Sequence, residues 1–71
     1  MINLQETTLL INQALENDAI LHIKYVNNSN IYSERDIRPL VWDGILIKAY
    51  CYLRQEERTF RVDRILKVER A

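Results

Sequence analysis

The run Arg58-Thr59-Phe60-Arg61-Val62-Asp63-Arg64-Ile65 sets three arginines around two alternating apolar residues, with a carboxylate beside the last arginine. A guanidinium is a planar, permanently charged fork of donors suited to phosphate or carboxylate oxygens. Upstream, Arg35 and Arg38 fall on one predicted strand, and Tyr25, Tyr32, Trp42 and Tyr50 offer ring faces. Arginines interleaved with aromatics meet the needs of single-stranded nucleic acid, where cations follow the backbone and bases stack. A purely structural reading competes: Asp63 would pair with Arg61 or Arg64 to hold a chain corner, and the tyrosines would be core. That reading weighs more for Asp63 and Arg64. It weighs less for Arg58 and Arg61, whose nearest acids, Glu56 and Glu57, fall in a predicted loop.

Other chemistries find little support. Cys51 and His22 are the sole thiol and imidazole, so an internal disulfide is excluded and a structural zinc site lacks ligands. A Cys–His nucleophile would need His22 beside Cys51 and a third group to orient the base. Cys51 reads instead as a core or sheet residue and His22 as an exposed strand residue, so the expectation is no enzyme, no metal and no cofactor. No stretch approaches the roughly 20 apolar residues of a membrane span. The start lacks a secretory n-region and h-region, and with one free thiol the expected compartment is the reducing cytoplasm.

The elements that must position these residues follow from period and punctuation. Asn3 with Glu6 reads as a capping box for a helix over about 4–16. On it Leu4, Ile11, Ala14 and Leu15 share one face flanked by Leu10, while Ile2 and Leu9 fall opposite and could carry a dimer contact. Asn17 is the expected left-handed cap. From Ala19 the pattern alternates, with Leu21, Ile23 and Tyr25 facing one way and His22 and Lys24 the other. Asn27-Asn28-Ser29-Asn30 is a turn, and a second strand runs from Ile31 to Trp42, bent at Pro39. Asp43-Gly44 predicts a type I′ hairpin turn into a third strand, Ile45 to Leu53. After the charged loop 54–57 come a strand from Arg58 to Val62, a corner at Asp63-Arg64 and a short strand from Ile65 to Val68.

One helix and five short antiparallel strands predict a mainly β fold, a small bent Sm-like or SH3-like barrel over about 19–69, in a single domain spanning 1–71. Ile23, Ile37, Leu46, Phe60, Val62 and Ile65 are the expected core. A chain this short buries only about 60% of its unfolded surface, so a homodimer, a ring or a fused neighbour would add stability. There is no room for a helix-turn-helix, so a DNA-reading domain would lie elsewhere. The net charge of zero is unevenly spread: residues 1–18 carry three acids and no base, while residues 54–71 carry six bases against four acids.

Three stretches together resemble the WYL domain family: Arg35-Asp36-Ile37-Arg38-Pro39-Leu40, the hairpin into Ile45-Leu46-Ile47-Lys48-Ala49-Tyr50, and Arg58 to Ile65. Ile23-Lys24-Tyr25 looks like the family's first strand, and the likeness spans roughly 17–70, nearly the whole chain. Where that family has its naming Trp-Tyr-Leu triplet, this chain has Ile45-Leu46-Ile47, which keeps the strand and removes any ligand contact by that tyrosine. The resemblance implies an Sm-like barrel of bacterial regulators, often tied to transcription regulation, phage defence or DNA damage, which senses nucleotides or single-stranded nucleic acid through a basic pocket. Carried over residue by residue, it nominates Arg35, Arg58, Arg61 and Arg64 as ligand-binding, with Tyr50 as the pocket aromatic. Two other readings stand beside it: a module that assembles with itself or docks on a regulatory partner protein, and a sensor of a small phosphorylated or carboxylated metabolite.

Overall fold

The computed structural model describes residues 4–71, with the side chain of Leu4 outside the description. One helix precedes five antiparallel strands: α1 (Leu4–Asn17), β1 (Leu21–Val26), β2 (Tyr32–Trp42), β3 (Leu46–Cys51), β4 (Glu56–Arg61) and β5 (Ile65–Arg70), with a 3₁₀ turn over Val62–Arg64. The Asn3–Glu6 capping box, Ile2 and the Leu4 side chain fall outside what is described. Along α1, Thr7, Ile11 and Ala14 are buried and Leu10 and Leu15 half-buried, while Leu9 is exposed, as the apolar stripe predicts. The helix ends one residue later than expected. Asp18, not Asn17, takes the left-handed conformation (φ 54°), and the Ala19 N–H reaches back to the Ala14 carbonyl at 2.9 Å.

The strands lie in the order β4-β3-β2-β1-β5. The expected barrel closure is not found. β4 and β5 adjoin through the 3₁₀ turn yet sit at opposite edges and share no ladder, so the sheet is open and curled. Side chains bridge part of that gap: Tyr25 of β1 packs edge-on against Phe60 of β4, with centroids 5.1 Å apart, and its hydroxyl accepts the Arg61 N–H at 3.2 Å.

Alternation decides which residues enter the core. Leu21 and Ile23 of β1, Ile37 and Pro39 of β2, Ile47, Ala49 and Cys51 of β3, and Phe60 of β4 all face the concave side. Leu46, expected in the core, is exposed, and Ile47 takes its place. The turn and a bulge in β2 together explain the slip. A type I′ turn needs two positive-φ residues, but only Gly44 has one (φ 98°). Trp42 and Ile47 form the last cross-strand pair, and the Asp43 carboxylate accepts the N–H groups of Ile45 and Leu46 at 2.9 and 2.8 Å. The longer turn moves β3 by two residues, which alone would keep each side chain on its face. The bulge at Leu40 takes one back, so along Ile37 and Pro39 the register is off by one residue and every side chain is reversed.

Pro39 is tolerated in a central strand for two reasons. β1 pairs with β2 only as far as Ile37, so the proline sits beyond that ladder. A bulge at Leu40 then restores the inward facing of Trp42, whose Nε1 donates to Asn12 Oδ1 of the helix at 3.1 Å. Glu56 and Glu57 belong to β4 rather than to a loop, and Glu57 pairs with Lys48 at 3.3 Å. No described helix is long and apolar enough to cross a membrane.

Candidate functional site

Two faces of one sheet divide the arginines. Arg35 lies opposite buried Ile23, and Arg58 opposite buried Ala49, so both point to the concave side. There they meet at the end of the curl away from α1, in a basin of about 250 Å³ lined by Tyr25, Asn27, Asn28, Arg35, Arg54, Arg58, Thr59 and Phe60. The lining holds three cations and no acid.

Arg35 forms the organised floor. It is half-buried, its Nε donates to Ser33 Oγ at 3.0 Å, its Nη1 lies 3.6 Å from Cys51 Sγ, and its guanidinium sits 5.9 Å from the Phe60 ring centroid. Stacking against an aromatic fixes a guanidinium without neutralising it. Arg54 and Arg58 are exposed, and neither has an ion pair or hydrogen bond to another described residue. Arg54 escaped the sequence reading because it sits in the β3–β4 turn. Gln55 in the left-handed region (φ 56°) reverses the chain there, and only the density of charge over 54–57 hinted at it.

Arg61 and Arg64 do not join the basin. Arg61 lies opposite exposed Leu46 on the convex face, where its fork closes on Asp63 at 3.0 and 2.9 Å. Those hydrogen bonds hold the Asp63 carboxyl below its usual range and raise Arg61 further. Arg64 is half-buried behind the site and donates to the Asn27 carbonyl at 3.0 Å. That bond ties the corner to the β1–β2 turn, which Asn27 stiffens by accepting the Ser29 and Ile31 N–H groups at 2.8 and 3.0 Å. Arg64 therefore supports the rim that carries Asn27 and Asn28.

Among the aromatics, Tyr50 faces the convex side, edge-on to Tyr52 at 4.9 Å, and lines no part of the basin. Trp42 is engaged with the helix, and Tyr32 is exposed outside the lining. Only Tyr25 presents a half-buried ring to the basin, over a Phe60 that is itself 2% exposed. The residues at the family's naming triplet, Ile45-Leu46-Ile47, also lie outside it.

The remaining reactive groups stay apart. Cys51 is buried on the concave side, and His22 faces out between Asp36 (Nδ1, 2.8 Å) and Glu34 (Nε2, 3.1 Å). Hydrogen bonds to Asp36 and then Glu34 raise the His22 pKa above its ordinary value, and the His22 bond lowers that of Glu34. No cluster of three or more metal-ligating side chains occurs among the described residues. A second hollow, about 290 Å³, opens between α1 and the β1 and β5 strands, lined mainly by Leu10, Ala14, Ile20 and Leu21 with Arg70 at its rim. With one cation and no aromatic, it lacks the donor density of the arginine basin.

The chain is thus a curled, five-stranded antiparallel sheet backed by one helix, with an arginine-lined hollow at its concave end. The WYL domain profile matches residues 6–70, and the chain belongs to the WYL domain family. Among solved structures, the chain is similar to proteasome accessory factor B/C (PafBC) of Arthrobacter aurescens, with a TM-score of 0.80 and 28% identity. That match covers 94% of this chain and 11% of PafBC, so the chain spans about a tenth of that protein's length. No curated protein sequence matches it.

Proposed function

We propose that this single-domain chain is a non-catalytic sensing module that binds nucleotides or single-stranded nucleic acid at the concave basin. The observation that carries the reading is the pairing of an anchored cation with two unneutralised ones: Arg35 is held by Ser33 and Phe60, while Arg54 and Arg58 have no acid partner among the described residues. An ordered guanidinium aimed into a hollow with free cations at its rim is suited to phosphate oxygens. Tyr25 offers one ring for a base, Asn28 and Thr59 offer both donors and acceptors for base edges, and Asn27, whose oxygens are already engaged, offers its amide donors.

Of the arginines that the sequence singles out, Arg35 and Arg58 would contact ligand, joined by Arg54. Arg64 would hold the rim, and Arg61 and Tyr50 would take no part. A regulatory role, with the output supplied by a partner protein, fits membership of the WYL domain family. The test is thermal shift with mononucleotides, short single-stranded DNA and RNA, and duplex DNA. A ligand at 100 times its dissociation constant adds about 2.7 kcal/mol of stability, a readily measured rise in melting temperature. Stabilisation by nucleotide or single strands, abolished in the Arg54→Glu/Arg58→Glu variant, is expected. Equal stabilisation of that variant would refute the assignment.

A further inference from the structure

β5 forms one outer boundary of the sheet, pairing only with β1 through Leu21↔Arg70, His22↔Glu69, Ile23↔Val68, Lys24↔Lys67 and Tyr25↔Ile65. Its other side offers backbone N–H and C=O groups with no ladder partner among the described residues. Such an edge templates a further strand unless something blocks it. Along it, Lys67 and Glu69 are exposed on the convex face, and neither has an ion pair among the described residues, whereas Val68 faces inward, half-buried against the core.

We propose that this edge pairs with the β5 edge of a second copy of the same chain, antiparallel, about a two-fold axis at Val68. Charge selects the occupant and the register. In antiparallel self-pairing that keeps the two faces of the sheet, one residue sits opposite its own copy and its neighbours cross. An axis at Lys67 opposes two lysines, and an axis at Glu69 opposes two glutamates. The axis at Val68 instead sets Lys67 opposite the partner's Glu69 twice, and directly opposed opposite charges stabilise a strand pair.

The other edge offers no such match in its present state. On β4, Glu57 is engaged with Lys48, Arg61 is engaged with Asp63, and the Arg61 N–H is already donated to Tyr25. A two-fold axis perpendicular to the sheet leaves both concave faces on the same side of the resulting ten-stranded sheet.

Sedimentation equilibrium of the full chain from micromolar to millimolar concentration tests this, with circular dichroism to confirm that each variant is folded. A reversible dimer is expected for the unaltered chain. Lys67→Glu alone opposes two glutamates at both crossings, and Glu69→Lys alone opposes two lysines. Each should weaken the dimer about tenfold or more. Mixed together, the two variants should form a heterodimer, because each then supplies the charge the other lacks. The double reversal within one chain should dimerise as the original does. A monomer throughout, a dimer indifferent to both single reversals, or single variants that stay apart on mixing would overturn the proposal.

Discussion

Replacing Arg58 by Gln removes one of two unpaired guanidinium groups at the rim of the basin while keeping a side chain of similar length on the exposed surface of β4. Its expected effect is read best from salt dependence. Each phosphate neutralised on a single strand contributes about −0.7 to the slope of log affinity against log salt. If Arg35, Arg54 and Arg58 each engage one phosphate, the slope is about −2, so a rise from about 50 to about 200 mM salt weakens binding about 18-fold. Without Arg58 the slope falls to about −1.4 and the same step costs about 7-fold. Fluorescence anisotropy with a labelled single-stranded oligonucleotide across that range distinguishes the two.

The companion variant is Arg61→Gln, three strand positions and one face away, whose fork is already closed on Asp63. It should leave the slope at the unaltered value. A slope that flattens in Arg61→Gln and not in Arg58→Gln would place the ligand on the convex face and refute the parity argument. Slopes unchanged in both would refute phosphate recognition by this strand altogether.

Arg64→Met should cost about 1–2 kcal/mol, since it removes a charged donor to the Asn27 carbonyl, and should lower ligand affinity without changing the salt slope. Denaturant unfolding and anisotropy would check the two halves separately. Gly44→Val meets nothing within 4 Å, so its cost is backbone strain at φ 98° alone, about 1–3 kcal/mol. Each kcal/mol should lower the melting temperature of a domain this small by about 4–8 °C. The His22–Glu34–Asp36 group predicts a pH profile. The His22 pKa is raised from 6.5, so its contribution is full below that value and is lost as pH rises through the raised folded pKa. The Glu34 pKa is lowered from 4.5, so its contribution is present above that value and is lost as pH falls through the lowered one. Melting temperature should therefore decline as pH rises above 6.5, relative to a His22→Gln variant. A difference between the two that stays constant with pH would sink this account.

Much of the architecture was legible because local signals and burial agree. The alternation of Leu21, Ile23 and Tyr25, the Asn27–Asn30 turn and the apolar stripe of α1 each point to one element, and each is found. Legibility failed where a single residue of register or a tertiary closure decided the outcome. The sequence around Asp43-Gly44 satisfies the composition of a type I′ turn. The Asp43 carboxylate, capping Ile45 and Leu46, lengthens the turn by two residues, and the bulge at Leu40 makes the net shift odd, which puts Ile47 inside in place of Leu46. Openness of the sheet was equally unreadable. It depends on whether β4 and β5 meet edge to edge, and here the Tyr25 hydroxyl takes the Arg61 N–H that a closing strand would have needed.

The site was half-legible, and the missing half follows from strand parity. Arg58 and Phe60 are two apart and share a face, whereas Arg61 is three from Arg58 and must face away. Treating the segment as one basic cluster joined what the sheet separates. The same separation explains how a chain of zero net charge presents a basic hollow. Its ion pairs fall on the convex face or its flank: His22 with Glu34 and Asp36, Lys48 with Glu57, Arg61 with Asp63, and Arg38 with Asp18 at 3.9 Å. Most acids are thus engaged on one side, and Arg35, Arg54 and Arg58 remain on the other; Glu56, opposite Cys51, shares the face of Arg58 but does not line their hollow. Low-dielectric walls of Tyr25 and Phe60 then concentrate that uncompensated field. Net charge fails as a guide to anion binding here because the sheet sorts the charges by face before any ligand arrives.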